Sequence, residues 1–202
     1  HIQNFKGWKD TGMFDLAPIT VLFGSNSSGK SSIGQFLVML KQTVRQSDRK
    51  TVLLLNGDSV DLGSVSDIFY AHDLEGNMKF EFRWDTKAVI KNSNKRDSYN
   101  QIEFEGDIQV SDPETQYLEV NEFKYRLYND ETLKLTVGMK KETEEESNRN
   151  YVLDSDRDFK RTKAGRGWKL TEPVKFYGFS DAALAYYKDS DFLQYLNLHQ
   201  ED

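Results

Sequence analysis

The stretch Ile19-Thr20-Val21-Leu22-Phe23-Gly24-Ser25-Asn26-Ser27-Ser28-Gly29-Lys30-Ser31-Ser32 constrains this chain more than any other. Gly24 and Gly29-Lys30-Ser31 stand at the spacing G-x-x-x-x-G-K-[ST], with an apolar run before them and a helical pattern after them. Read locally, that is a β-strand, a glycine-rich loop and the start of a helix. The glycines let the backbone curl so that successive N–H groups point inward at an anion with no side chain in the way. A helix opening near Lys30 adds its unpaired N-terminal N–H groups and the positive end of its dipole. Lys30 is then placed to reach the β- and γ-phosphates of a nucleotide, and the Ser31 hydroxyl to ligate Mg²⁺. The expected ATP-binding set is Gly24, Ser25, Asn26, Ser27, Ser28, Gly29, Lys30, Ser31 and Ser32, with Lys30 catalytic and Ser31 the metal contact.

Length and composition set the outer limits. A chain of 202 residues can bury a real core as one large domain or two small ones. The net charge of -6 argues against a protein that coats nucleic acid, although it leaves room for a local basic patch. With no cysteine, disulfides, thiolate zinc sites and cysteine nucleophiles are excluded. No apolar run approaches the roughly 20 residues that span a bilayer, and no signal peptide opens the sequence. A cytoplasmic protein without a membrane role is the expectation. The chain starts at His1 and not at Met, so residues are expected to precede it.

Residues 1–23 read as a β-hairpin leading into the buried run Ile19–Phe23. Asn4-Phe5-Lys6 and Trp8 precede that run by a short distance, so Lys6 or Trp8 is placed to touch a nucleotide from the side; a tucked aromatic on a solvated hairpin is the alternative for Trp8. From Ser31 to Val44, Ile33, Phe36, Leu37, Leu40 and Val44 recur at helical spacing. Thr51–Leu55 reads as a compact β-type run before the turn Asn56-Gly57-Asp58, and 66–73 as a short capped helix. From Met78 the character changes. Segments 79–84, 101–105, 119–128 and 132–137 alternate apolar with charged residues, as in an antiparallel sheet with one wet face. The polar joins 91–100 and 140–150 are expected loops, 151–154 and 168–176 two further strands, and 181 to about 201 helical. The expected organisation is a nucleotide-binding lobe over 1–77, an antiparallel β subdomain over 78–180, and a helical segment over 181–202.

The residues Asn4-Phe5-Lys6-Gly7-Trp8-Lys9-Asp10, followed by Leu22-Phe23-Gly24-Ser25-Asn26-Ser27-Ser28-Gly29-Lys30-Ser31-Ser32-Ile33, resemble the start of an ABC-type ATPase head of the SMC/RecF/OLD group. The Asn26-Ser27-Ser28 version of the loop is typical of that group. Leu55 to Asp58, Val60 to Ser64 and His72-Asp73 are similar to a bacterial family of such ATPases, often found in anti-phage defence operons, to which the Septu- and Gabija-like ATPases are related. The resemblance implies an α/β fold: a P-loop NTPase (ABC-ATPase-like) N-terminal lobe carrying an antiparallel β subdomain, with the second half of the head outside this chain. It also implies ATP held with Mg²⁺ between two heads, a homodimer, and a DNA or nuclease partner. Such heads carry an Asp-Glu pair closing a hydrophobic strand, a serine signature loop and a switch histidine, and none of these occurs here. The simplest expectation places them further along the gene or on another chain. The glutamine that meets magnesium in such heads has no obvious counterpart: Gln35 and Gln42 fall on the loop helix, and His72-Asp73 is a weak candidate beside the reading of an ordinary loop pair.

Two functions stay open. One is a switch ATPase whose heads close on ATP and reopen on hydrolysis, driving a DNA-directed or nuclease partner. The other is a module that binds ATP without turning it over. A nucleotide kinase is disfavoured, because the long antiparallel sheet stands where a kinase has helical lids. Asp154, Asp156 and Asp158 open like a calcium loop but lack its later glycine and glutamate, and so read as a solvated turn. Lys160, Arg161, Lys163, Arg166 and Lys169, with Trp168, form the one basic-aromatic cluster, read as a solvated loop more readily than as a nucleic-acid contact.

Overall fold

A computed structural model describes residues 1–92, 95–142, 151–162, 169–188 and 190–198. Seven strands form one sheet in the order β2-β1-β3-β4-β5-β6-β7, antiparallel at each pairing. The strands are β1 (Ile2–Phe5), β2 (Trp8–Asp10), β3 (Met78–Asn92), β4 (Lys95–Asp112), β5 (Tyr117–Asn129), β6 (Thr132–Lys141) and β7 (Tyr151–Ser155). The helices are α1 (Lys30–Arg45), α2 (Val65–Ile68), α3 (Asp181–Tyr186) and α4 (Ser190–Leu198), with a 3₁₀ turn at Tyr70–His72. The N-terminal hairpin pairs with β3, and one buried core runs from Ile2 to Leu196.

The alternation seen in the sequence sorts the two faces of the sheet. Phe80, Ile102, Phe104, Ile108, Phe123, Tyr125, Leu127, Leu135, Val137 and Met139 are buried on one face. Phe36 of α1 packs into them, edge-on to Phe5 (centroids 4.9 Å apart) and to Phe80 (5.2 Å). Phe176, Phe179, Phe192 and Leu193 close the same core from the C-terminal segments. The opposite face carries cross-strand ion pairs. Glu103, almost fully covered, accepts from Arg83 and from Arg126, and Arg126 reaches on to Glu105 at 2.7 Å. Burial raises the Glu103 carboxyl, but the hydrogen bonds from the two guanidinium groups outweigh it and hold the carboxyl below its usual value. A one-residue slip between β4 and its neighbours would bring these charges into the core, so the two faces together fix the register.

Several sequence expectations are corrected. Ile19–Phe23 is not a buried strand: it has no strand assignment, and Ile19 and Phe23 are 85% and 90% exposed. A strand needs a neighbour to satisfy its backbone, and among the described residues none pairs with it. Thr51–Leu55 is not a strand either, because α1 side chains claim its surroundings. Leu54 donates its N–H to Thr43 Oγ1 at 2.7 Å, and Gln42 Nε2 donates to Leu54 O at 2.7 Å. The expected loop at 91–100 is instead the far end of the β3–β4 hairpin, paired backbone to backbone from Ala88↔Tyr99 to Asn92↔Lys95. In 168–176 the described part makes only the isolated bridges Tyr151↔Leu170 and Val174↔Gly178, with the stretch 163–168 outside the described residues. Of the loop expected over 140–150, Lys140 and Lys141 instead end β6, and 143–150 also lie outside the described residues. Helix 31–44, the turn at 56–58 and the antiparallel sheet stand as expected, the helix expected over 66–73 is reduced to the capped turn Val65–Ile68 and a 3₁₀ turn beyond an extended Phe69, and the C-terminal helical segment is divided into α3 and α4.

Phe36 is fully buried at the junction of hairpin, helix and sheet. Phe36→Ala is expected to lower stability by about 3–5 kcal/mol, the usual range for deleting a core phenylalanine. Urea unfolding measures this; a loss under about 1 kcal/mol would contradict the packing described.

Candidate phosphate-binding site

The loop 24–29 ends on Gly29, which caps α1 with a left-handed backbone (φ 81°). Gly29 O accepts the Ser32 N–H at 3.0 Å, the first bond of the helical run. The Lys30 and Ser31 N–H groups at the head of the helix have no intrahelical acceptor, so they remain to meet an anion. Ser27 is also left-handed at φ 62°, and the Ser28 N–H turns back to Ser25 O at 3.4 Å. Strained, non-glycine backbone of this kind gathers at ligand loops. Lys30 closes the arrangement. Its Nζ donates to Gly24 O at 3.0 Å, to Ser25 O and to Ser28 Oγ at 3.3 Å, so the ammonium group sits within the loop itself. Loop residues Gly24 to Ser28 are exposed, Lys30 is half-buried, Ser31 is exposed and Ser32 is buried under the helix.

A hairpin braces the loop from one side. Phe5 anchors β1 against Phe36, and Lys6, left-handed at φ 46°, turns the chain into β2 while donating its N–H to Ile68 O at 2.8 Å. Gly7 lies beside the loop: a Cβ built there would stand 3.5 Å from Gly29 Cα. Trp8 Nε1 donates to Gly29 O at 2.9 Å. A Cβ added at Gly29 would stand 2.6 Å from that nitrogen, so the close approach of the indole requires glycine there as much as φ does. The bond from Trp8 is a contact the sequence reading missed, because neither motif spacing nor periodicity carries it.

Lys6 lies on the hairpin turn, and its charge also acts on Asp67. Hydrogen bonds from the Ser64 hydroxyl and N–H hold the Asp67 carboxyl low, helped by the charges of His72 and Lys6. His72 Nδ1 pairs with Ser66 O at 2.9 Å, and Ala71 and His72 are consecutive left-handed residues (φ 55° and 58°). Gln42 is a structural residue, held at 2.7 to 3.1 Å by the main chain at Leu54 and Val60. Of the aspartates at 154–158, Asp154 lies 3.6 Å from Lys124 and 3.5 Å from Lys140, while Asp156 accepts from Thr136 N at 2.9 Å. Of the basic cluster, Arg161 lies over the Tyr186 ring at 5.6 Å. Lys163, Arg166 and Trp168 lie outside the described residues.

The far end of α1 is fixed as firmly as its start. Lys175, 5% exposed, donates from Nζ to Val44 O at 2.5 Å and to Gln46 O at 2.6 Å, a cation on the negative end of the helix. Arg49 makes a forked pair with Asp181 at 2.9 and 3.2 Å. The loop therefore stands on a helix clamped at both ends.

A glycine-ended loop with an internal lysine, leading into a helix N-terminus, has the donors that a phosphate chain requires. Residues 1–172 match the AAA ATPase domain family. The chain belongs to that family. No curated protein sequence and no solved structure matches it. As an AAA ATPase domain it falls among nucleotide-binding ATPases, which use ATP and Mg²⁺, and the expected SMC-like ATPase is consistent with that family. The residues present fit those ligands: loop N–H groups and Lys30 for the phosphates, and the exposed Ser31 hydroxyl for the metal. Among the described residues, no group of three or more His, Asp or Glu could hold a metal ion. Among the described residues, no helix is long and apolar enough to cross a membrane.

The bracing hairpin carries a pH signature. Hydrogen bonds from the Gly12 N–H, then from Gln3 and His1, pull the Asp10 carboxyl down to about 2. Because the folded value is depressed, its stabilisation is present above the usual carboxylate value near about 4 and is lost as pH falls through the folded value. NMR titration is expected to place the Asp10 midpoint near 2, with the Gly12 amide shifting alongside it. A midpoint near about 4 would show that the three hydrogen bonds do not hold.

Proposed function

We propose that this AAA ATPase domain binds ATP with Mg²⁺ on residues 24–32 and hydrolyses it as the head of an SMC/RecF-like switch. Gly24, Ser25, Asn26, Ser27, Ser28 and Gly29 cradle the phosphates through their N–H groups, Ser32 supports them from the first helical turn, and Ser31 ligates Mg²⁺. The observation that carries the reading is Lys30. Its ammonium group lies among the loop's own oxygens, Gly24 O at 3.0 Å and Ser28 Oγ at 3.3 Å. Phosphate oxygens are stronger acceptors for an ammonium than neutral carbonyls, so a nucleotide takes over contacts that the loop already directs at Lys30. Lys6, on the hairpin turn that touches Gly29, is the side contact.

Two heads pair around the nucleotide in this proposal, and their closure and opening act on DNA or a nuclease partner, with anti-phage defence as the setting. The support is the sequence resemblance together with the apolar surface beside the loop: Ile19, Val21 and Phe23 are 85%, 63% and 90% exposed, as expected where another body of protein packs. The second reading, ATP binding without turnover, fits a sequence in which no aliphatic run ends in an Asp-Glu pair; its Asp130-Glu131 sits in the turn between β5 and β6.

Calorimetry with Mg-ATP, with phosphate release followed in parallel on the full-length gene product, tests both readings. Lys30→Ala is expected to weaken binding at least about tenfold, the range for losing a charge-assisted hydrogen-bond donor. Unchanged affinity in that variant would overturn the site, and tight binding with no phosphate release would favour the second reading.

A further inference from the structure

The hairpin contact with Gly29 does more than fill space. A trans peptide holds its C=O and its following N–H in one plane, pointing in opposite directions. Whatever grips Gly29 O therefore sets the direction of the Lys30 N–H. Trp8 Nε1 grips that oxygen at 2.9 Å from the hairpin side, and the Ser32 N–H shares it at 3.0 Å. The Lys30 N–H is left to face away from the hairpin, where a phosphate oxygen would lie. Donation into the carbonyl also polarises the peptide and makes that N–H a stronger donor, the usual cooperativity of linked hydrogen bonds.

The grip is built in rather than casual. Phe5, fully buried, fixes the hairpin on Phe36 of the same helix that the loop opens. The Lys6 N–H ties the turn to Ile68 O at 2.8 Å. Left-handed Lys6 (φ 46°) and exposed Gly7 then deliver Trp8 to Gly29, which has no Cβ in its way. The half-buried indole uses its only donor on this carbonyl.

We propose that Trp8 is a positioning residue for the phosphate site: through Gly29 O it aims and polarises the Lys30 N–H, and it acts on the phosphate chain rather than on the base. This rests on the nucleotide-binding reading above. It also separates two roles for Trp8, because an aromatic that stacked on a nucleobase would matter only to ligands that have one.

The test is calorimetry on the full chain with Mg-ADP and with Mg-pyrophosphate, wild type beside Trp8→Phe, which keeps a ring and removes the N–H. Trp8→Phe is expected to weaken both ligands by the same factor, roughly three- to tenfold for one neutral hydrogen bond, with the thermal midpoint little changed. In wild type labelled with ¹⁵N, the Trp8 indole N–H resonance is expected to move on adding either ligand, while that of Trp84 stays. The indole resonance also carries the test if Trp8→Phe does not fold. Loss for Mg-ADP alone would overturn the proposal in favour of base stacking. Equal affinities in the two chains, or an indole resonance that ignores both ligands, would overturn it outright. If wild type binds neither ligand while remaining folded, the nucleotide-binding reading itself fails and this proposal with it.

Discussion

Phe36 is the contact on which the rest of the architecture depends. It joins hairpin to sheet by meeting Phe5 on one side and Phe80 on the other, and it lies two turns below the loop. Aromatic burial of this size stabilises by kilocalories, whereas each hydrogen bond in the loop contributes about one. The apolar core thus sets where α1 lies, and the weaker polar contacts only refine what its N-terminus does. Lys175, from the segment before α3, fixes the other end of the helix, and Arg49 just beyond that end pairs with Asp181 of α3. A loop with few contacts of its own can hold strained backbone at Ser27 only because it grows from a helix fixed in this way.

The same hierarchy explains what was legible in the sequence. The helix after the loop showed in the spacing of Ile33, Phe36 and Leu40, and the sheet showed in alternation such as Lys79-Phe80-Glu81-Phe82-Arg83, because both patterns record which side meets the core. The glycine-lysine motif showed because its chemistry tolerates few residue types. Other features depend on contacts distant in sequence, where pattern is silent. Thr51–Leu55 has the composition of a strand, yet Gln42 and Thr43 take up main-chain groups at Leu54. Ile19–Phe23 likewise has the composition of a buried strand and no described neighbour to pair with. Lys175 sits in a run that reads as a strand, and nothing local in it foretells a buried cation capping a helix 129 residues away.

The loop and the sheet contribute different things. The sheet's wet face is balanced, Arg83 and Arg126 against Glu103 and Glu105, so it presents neither a strongly basic nor a strongly acidic field. The loop has fixed positive character from α1, Lys30 and unpaired N–H groups, next to exposed apolar residues. In the proposed switch, anion binding and protein association meet on that edge of the molecule, and neither needs the sheet's other face.

The central claim is that residues 24–32 receive a nucleotide's phosphates and that Lys30 exchanges loop oxygens for theirs. Backbone amide NMR during a titration with Mg-ADP tests it most directly. The account predicts that the Gly29, Lys30 and Ser31 amides shift downfield and exchange more slowly with solvent as the ligand saturates, while amides of β4 to β6 stay in place. Saturating ligand that leaves those three amides unmoved, or that moves the sheet instead, would contradict it.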